Sequence, residues 1–116
     1  NILEYSEQFD RGLPFSPSAM EELKDMSGRV QLIIDKSIAF FMERKPDRAA
    51  ADVIIAGEEE IDELVLTLRA HHVTRLNALE CSPEMGMTFV DILTALERVS
   101  DHATNIMYAA FDDDCA

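Results

Sequence analysis

The chain repeats apolar residues every three or four positions in three long stretches, and prolines separate these stretches. The first stretch follows Pro17, the second follows Pro46 and the third follows Pro83. This spacing places apolar side chains on one face of an α-helix, whereas a half-buried strand alternates every second residue. Because the sequence lacks the alternation of strands, it predicts an all-α fold with three helices.

The first helix is predicted to begin at Ser16 or Ser18 and to end near Arg44. Ser16 before a proline offers an N-cap and a favourable first helical residue, and Ser18 with Glu21 fits a capping box. The end is expected before Pro46, because the residue preceding a proline avoids the helical region. The apolar face consists of Leu23, Met26, Val30, Ile33, Ile34, Ser37, Phe40 and Phe41.

The second and third helices are predicted to run from near Pro46 to about Ala78 and from Ser82 to about Phe111. The sequence Ser-Pro-Glu at the start of the third helix combines an N-cap, a proline and an acidic residue near the positive end of the helix dipole. The second face consists of Ala51, Ile54, Glu58, Ile61, Val65, Leu68, His72 and Leu76. The third face consists of Phe89, Ile92, Leu93, Leu96, Val99, Ala103, Ile106 and Ala110.

Three helices of about thirty residues with short links are expected to pack as an up-down-up antiparallel bundle. Each helix would be roughly 45 Å long at about 1.5 Å per residue. The bundle is predicted to occupy residues 13–112, followed by a disordered tail at 113–116. Such short links leave no room for a lid or a large catalytic insertion.

The composition is strongly acidic, with 23 Asp and Glu against 10 Lys and Arg and a formal net charge of -13. We expect no nucleic-acid partner, because no basic stripe is present to release counterions. No apolar run reaches the ~18 residues that a membrane span needs, so we expect no lipid insertion by this segment. Cys81 and Cys115 are too few for a disulfide framework and fit a reducing compartment.

Two pairs of carboxylates lie one helical turn apart, Glu58 with Asp62 and Glu97 with Asp101. Like charges at this spacing repel by a few tenths of a kcal/mol on an exposed helix. Glu58 falls inside the apolar face, so the two pairs can face a shared groove, where they would need protons or cations. Carboxylate oxygens suit magnesium, calcium or manganese, and iron in carboxylate clusters. An ordinary solvated helix surface is the alternative interpretation.

Motifs of catalytic sites are missing from the sequence. No Glu has a His three residues later, which argues against a di-iron oxidase of the helical-bundle type. The sequence has neither a Gly-x-Ser-x-Gly elbow nor a glycine-rich phosphate loop. We therefore expect a protein that is not an enzyme, and we interpret His72 as a core histidine.

Residues 96–106 read LERVSDHATNI, which resembles the LERIGDHAxNI signature of PhoU-domain proteins. Val99 and Ser100 stand where isoleucine and glycine are usual. Residues 58–64 are similar to the other acidic segment of that family. Residues 72–76 and 81–84 resemble more specifically the PhoU-like region at the C-terminus of bacterial sodium/phosphate cotransporter-related proteins.

The resemblance covers nearly the whole chain and implies a tandem arrangement of three-helix repeats. Residues 1–5, NILEY, echo residues 105–108, NIMY. Residues 1–12 are therefore expected to be the tail of a preceding helix and a linker. This chain would then be the second repeat of a longer protein.

The resemblance also implies a function. PhoU proteins are regulators of phosphate uptake, and their acidic motifs are associated with bound metal clusters, iron among them. Carried over by position, the metal ligands would be Glu97, Asp101, Glu58 and Asp62, with iron, manganese, magnesium or calcium as the cofactor. Ser100 in place of glycine adds a side chain beside this site.

The partner implied is a membrane phosphate transporter, which can be part of the same polypeptide, at the cytoplasmic face of the inner membrane. We also expect a homo-oligomer. Two other interpretations remain open at this point. One is a structural helical dimerisation module without metal, and the other is a carboxylate-bridged metalloenzyme.

Overall fold

The computed structural model describes residues 15–43 and 47–111, which form three α-helices. Helix α1 spans Pro17–Met42, α2 spans Arg48–Asn77 and α3 spans Pro83–Phe111. The predicted all-α class and the predicted order of helices are confirmed. The predictions for residues 1–12 and 113–116, and the predicted helix bounds at Arg44 and Pro46, lie outside the described residues.

A polar side chain caps the start of each helix. Ser16 Oγ accepts a hydrogen bond from the Ala19 amide at 3.2 Å, so α1 begins at the first of the two predicted serines. Asp47 accepts from the Ala49 amide at 3.0 Å. The first turn of α3 is closed by Ser82, which accepts from the amide of Met85 at 3.2 Å. These side chains satisfy amides that have no partner within their own helix.

Contacts between side chains show that neighbouring helices run antiparallel. Glu22 near the start of α1 contacts His71 near the end of α2. Arg69 near the end of α2 donates to Thr94 in the first half of α3. Helix α3 packs more extensively on α1 than on α2. The core therefore forms along the axis between all three helices.

The buried residues agree with the predicted faces except at three positions. Phe41 on α1 is 51% exposed, and Val99 and Ile106 on α3 are 42% and 40% exposed, so their predicted place in the core is wrong. On α3 the side chains of Ser100, Thr104 and Met107 are buried instead. Two of these are polar, so the hydrophobic pattern of the sequence does not reveal them.

None of the helices in the described part of the chain combines the length and the apolar character that a membrane crossing needs. Cys81 is a free, partly buried thiol, and Cys115 lies outside the described residues.

Candidate functional site

The four predicted ligand residues lie on the two facing helices α2 and α3. Glu58 and Asp62 come from α2, and Glu97 and Asp101 come from α3. The antiparallel arrangement brings the Glu58 side chain into hydrogen-bonding contact with Asp101, and it brings Asp62 within the electrostatic influence of Asp101. The structure thus pairs Glu58 with Asp101 between α2 and α3, and Asp62 lies near enough to influence both charges.

The surroundings of Glu58 oppose its ionisation. Burial of the side chain raises its pKa first, and the hydrogen bond with Asp101 and the charges of Asp101 and Asp62 raise it further, to about 7. The pKa of Asp62 is raised as well, by partial burial and by the charge of Asp101. At neutral pH, Glu58 is therefore protonated in a large fraction of molecules and can donate that proton to Asp101.

Thr104 joins the same cluster from the next turn of α3. Its hydroxyl lies near Glu58 and opposes the rise of the Glu58 pKa, because a hydroxyl proton beside the carboxylate favours the charged form. The hydroxyl also lies 2.9 Å from the backbone oxygen of Asp101 and 3.3 Å from that of Ser100. A hydroxyl has one proton to donate, so it can donate either to the ionised Glu58 or to its own helix.

Glu97 lies one turn before Asp101 and is partly buried. Within residues 15–43 and 47–111 it forms neither a hydrogen bond nor an ion pair. No three His, Cys, Asp or Glu side chains in these ranges gather closely enough to hold a metal ion. The arrangement in the described residues is thus a carboxylate pair, Glu58 with Asp101, whose charges Asp62 influences, and not a group of three ligands.

A positively charged side chain, Arg69, lies beyond one end of the predicted carboxylate ligands. Arg69 lies two turns after Asp62 on α2, and its Nη2 donates to Thr94 Oγ1 at 3.2 Å. On α3, Thr94, Glu97 and Asp101 are spaced by three and four residues, so they share one side of the helix. Sequence reasoning missed both Arg69 and Thr104. The resemblance does not point to Thr104, because this residue occupies the variable position of the LERIGDHAxNI signature.

A second polar cluster lies towards the opposite end of the bundle. Arg75 Nη2 is buried and lies 2.8 Å from Glu22 Oε1. This is an ion-pair distance, although the two groups are not aligned for a hydrogen bond. His71 Nδ1 contacts the other carboxylate oxygen at 2.6 Å. The Arg75 guanidinium also lies 5.0 Å from the ring centroid of Phe89 on α3. This cluster joins all three helices, and we assign it a structural role.

The structure confirms the interpretation of His72 as a histidine that packs at the core. Its ring stacks on Phe89 with centroids 5.9 Å apart. Burial, and then the charge of Arg75, lower its pKa. A Cβ at Gly86 would overlap the His72 ring, so the absence of a side chain at Gly86 allows this stacking.

Residues 23–110, which include both acidic segments, match the PhoU domain family. The chain is also 31% identical over 87 residues to "Phosphate-specific transport system accessory protein PhoU homolog 1" of Thermotoga maritima. That alignment covers 75% of this chain and 37% of the relative, so the chain spans little more than a third of the relative's length. No solved structure matches the chain significantly. Since the family match extends over most of the bundle, this chain belongs to the PhoU domain family.

Proposed function

We propose that this chain is a regulatory domain of phosphate uptake that acts on a membrane phosphate transporter. The observation that carries the proposal is that the PhoU match spans the bundle, whose two acidic segments meet between α2 and α3. The relative from Thermotoga maritima bears the name of an accessory protein of a phosphate-specific transport system. A regulatory role at the cytoplasmic face of the membrane is consistent with both findings.

The proposed transporter is of the sodium/phosphate cotransporter class. Residues 72–76 and 81–84 support this finer proposal, because they resemble the PhoU-like region of such proteins. In that arrangement the transporter and this bundle belong to one polypeptide, and the bundle restrains transport. A homo-oligomeric assembly is part of the same proposal.

Deletion of residues 13–112 from the full-length protein tests the regulatory role. We expect phosphate uptake, measured with radiolabelled phosphate in cells that lack other phosphate transporters, to lose its dependence on external phosphate. Immunoblotting of the membrane fraction controls for the amount of transporter. Unchanged uptake at equal protein amounts would show that the bundle does not regulate transport.

We further propose that the groove between α2 and α3 binds a hard cation. The donor chemistry fits, since Glu58 and Asp101 present carboxylate oxygens from two helices and Asp62 adds negative charge nearby. Glu97 would complete the set only after its side chain moves, because no three ligands gather in the described residues. Magnesium, calcium, manganese and iron all accept this donor set. The cation would neutralise the carboxylates and so stabilise the folded domain.

Elemental analysis of the purified protein tests the cation site, together with melting curves in chelator and in each of the four cations. We expect added cation to raise the melting temperature of the wild type. Glu58→Gln combined with Asp101→Asn should remove this shift. Glu59→Gln combined with Glu63→Gln is the matched control, because it also replaces two carboxylates by amides, at exposed positions of α2. The same metal content and the same shift in both double variants would exclude Glu58 and Asp101 as ligands.

One observation favours a second candidate, a helical interaction module without metal. The described residues present a carboxylate pair rather than a group of three possible ligands. Such a module would melt at the same temperature in chelator and in every cation. The melting curves described above therefore distinguish the two candidates.

A further inference from the structure

A groove between α1 and α2 lies apart from the carboxylate cluster, which faces α3. It consists of two adjoining recesses that share Lys36 and Val53. The first recess reaches Arg29 and Glu60, and the second reaches Glu43. From Arg29 to Glu43 the groove follows α1 for about 21 Å, at about 1.5 Å per residue. This length corresponds to four turns of a docked helix.

The walls of the groove are apolar and exposed to solvent. Leu32 on α1 and Val53 on α2 are 53% and 54% exposed. A Cβ at Gly57 would lie 2.6 Å from Ile33 Cδ1, so glycine allows the two helices to approach closely at the first recess. A trough with apolar walls between two helices is the shape into which a ridge of side chains from another helix packs.

Charges alternate along the groove. At one end, Arg29 pairs with Asp25 at 3.2 Å and with Glu60 at 3.6 Å. Lys36 lies in the middle and forms no ion pair with any residue in the described ranges. Glu43 is exposed at the other end. The groove therefore offers one unpaired positive charge between two negative ends, on a chain whose net charge is -13.

We propose that this groove binds an amphipathic helix of a partner protein. Apolar side chains of the partner pack against Leu32 and Val53, and a carboxylate at the middle of the helix pairs with Lys36. Basic residues at the two ends of the helix face Glu60 and Glu43. Basic ends also fit the overall charge, because a uniformly acidic helix would be repelled by this chain. This docking surface goes beyond the proposed regulatory role and does not depend on the cation site.

A designed peptide tests the charge pattern. The probe is a fluorescently labelled helix of about 18 residues, with leucines at helical spacing, one central glutamate and lysines at both ends. We expect saturable binding to the full chain, followed by fluorescence anisotropy. Lys36→Glu should weaken this binding about tenfold or more, as for other close charge pairs at interfaces. Lys24→Glu is the matched control, since Lys24 is exposed on α1 and lines neither recess.

A charge-reversed peptide with a central lysine should bind Lys36→Glu more tightly than it binds the wild type. Leu32→Asn should weaken binding of the original peptide, whereas Ile38→Asn should not, because Ile38 is similarly exposed on α1 but lines neither recess. Circular dichroism verifies that the variants remain folded.

Absence of saturable binding to the wild type, or equal losses in the groove and control variants, would overturn the proposal. Sedimentation equilibrium measures whether the chain self-associates. Self-association that Lys36→Glu abolishes would assign the groove to a second copy of the chain and would also overturn the proposal. Failure of the peptide to bind would leave the phosphate-uptake experiment unaffected, so the two proposals fail separately.

Discussion

Glu58 lies where burial and two neighbouring carboxylates disfavour its charge, and its pKa rises from 4.5 to about 7. The folded chain therefore binds a proton between pH 4.5 and 7 that the unfolded chain releases. This raised pKa contributes stability that is fully present below pH 4.5 and is lost as the pH rises through 7. The acidic cluster should thus weaken the metal-free fold at alkaline pH.

The first prediction is that Glu58→Gln stabilises the metal-free protein at pH 8 and has little effect at pH 4.5. The whole shift corresponds to roughly 3 kcal/mol at about 1.4 kcal/mol per pKa unit. Because solvent reaches the partly buried side chain, we expect about 1–2 kcal/mol. Urea unfolding in chelator at both pH values measures the difference. Glu59→Gln, on the exposed side of α2, is the control. A wild type and Glu58→Gln with parallel pH profiles would contradict the raised pKa.

Ser100 is fully buried, and its hydroxyl has no hydrogen-bond partner among the described residues. A buried hydroxyl without a partner costs about 1–3 kcal/mol. Glycine, which is usual in the resembling signature, would remove the hydroxyl but would loosen the helix by about 0.5–1 kcal/mol relative to alanine. Alanine avoids both costs at this position.

The second prediction is therefore that Ser100→Ala raises the free energy of unfolding by about 1 kcal/mol more than Ser27→Ala does. Ser27 is only partly buried on α1, so its replacement reports the change in helix propensity alone. Denaturant unfolding of both variants measures the difference. A destabilised Ser100→Ala would mean that the hydroxyl has a hydrogen bond in solution.

At the scale of the elements, the link between α2 and α3 contains the one non-glycine residue with positive φ in the described chain. Leu79 has φ 60° and is 90% exposed. The left-handed conformation allows the Glu80 amide to donate to the Arg75 carbonyl at 2.9 Å, which closes the end of α2. This conformation costs a residue with a Cβ roughly 1–2 kcal/mol.

The third prediction is that Leu79→Gly stabilises the bundle by about 1 kcal/mol, because it relieves the backbone and removes no buried contact. Thermal and urea unfolding measure the change. Ala78→Gly is the control, since Ala78 has φ -84° and gains nothing from glycine. Equal effects of the two substitutions would show that the backbone at Leu79 is not strained.

The starts of α1 and α3 and the ends of α2 and α3 could be predicted from the sequence, because apolar residues recur with one helical period along each helix and serine-proline pairs precede two of the starts. The position of Glu58 and Asp101 beside the interface of α2 and α3 could be predicted for the same reason, since Glu58 falls inside the apolar face of α2 and Asp101 flanks that of α3. The contacts between helices could not be predicted, because they depend on how far one helix is shifted along its neighbour. The pairing of Glu58 with Asp101 and the burial of Ser100 belong to the features that could not be predicted.

At the scale of the whole molecule, the ion pair between Glu22 and Arg75 joins the three helices. Arg75 on α2 is only 8% exposed, Glu22 on α1 is 17% exposed, and the guanidinium lies over Phe89 on α3. The apolar pattern of α2 does not indicate a buried charge at Arg75, so this ion pair was not predicted from the sequence. A buried ion pair adds little net stability, but a single partner left behind carries an uncompensated charge.

The last prediction is a double-mutant cycle on this pair. Glu22→Gln should lower the free energy of unfolding by about 3 kcal/mol, because Arg75 remains buried without a counter-ion. Arg75→Met alone should cost less, since Glu22 reaches more solvent and keeps its contact with His71. The double variant should recover much of the loss of Glu22→Gln, because neither buried charge remains. Glu21→Gln, exposed on the next residue of α1, is the control. Additive losses in the double variant would show that the two side chains do not interact across the bundle.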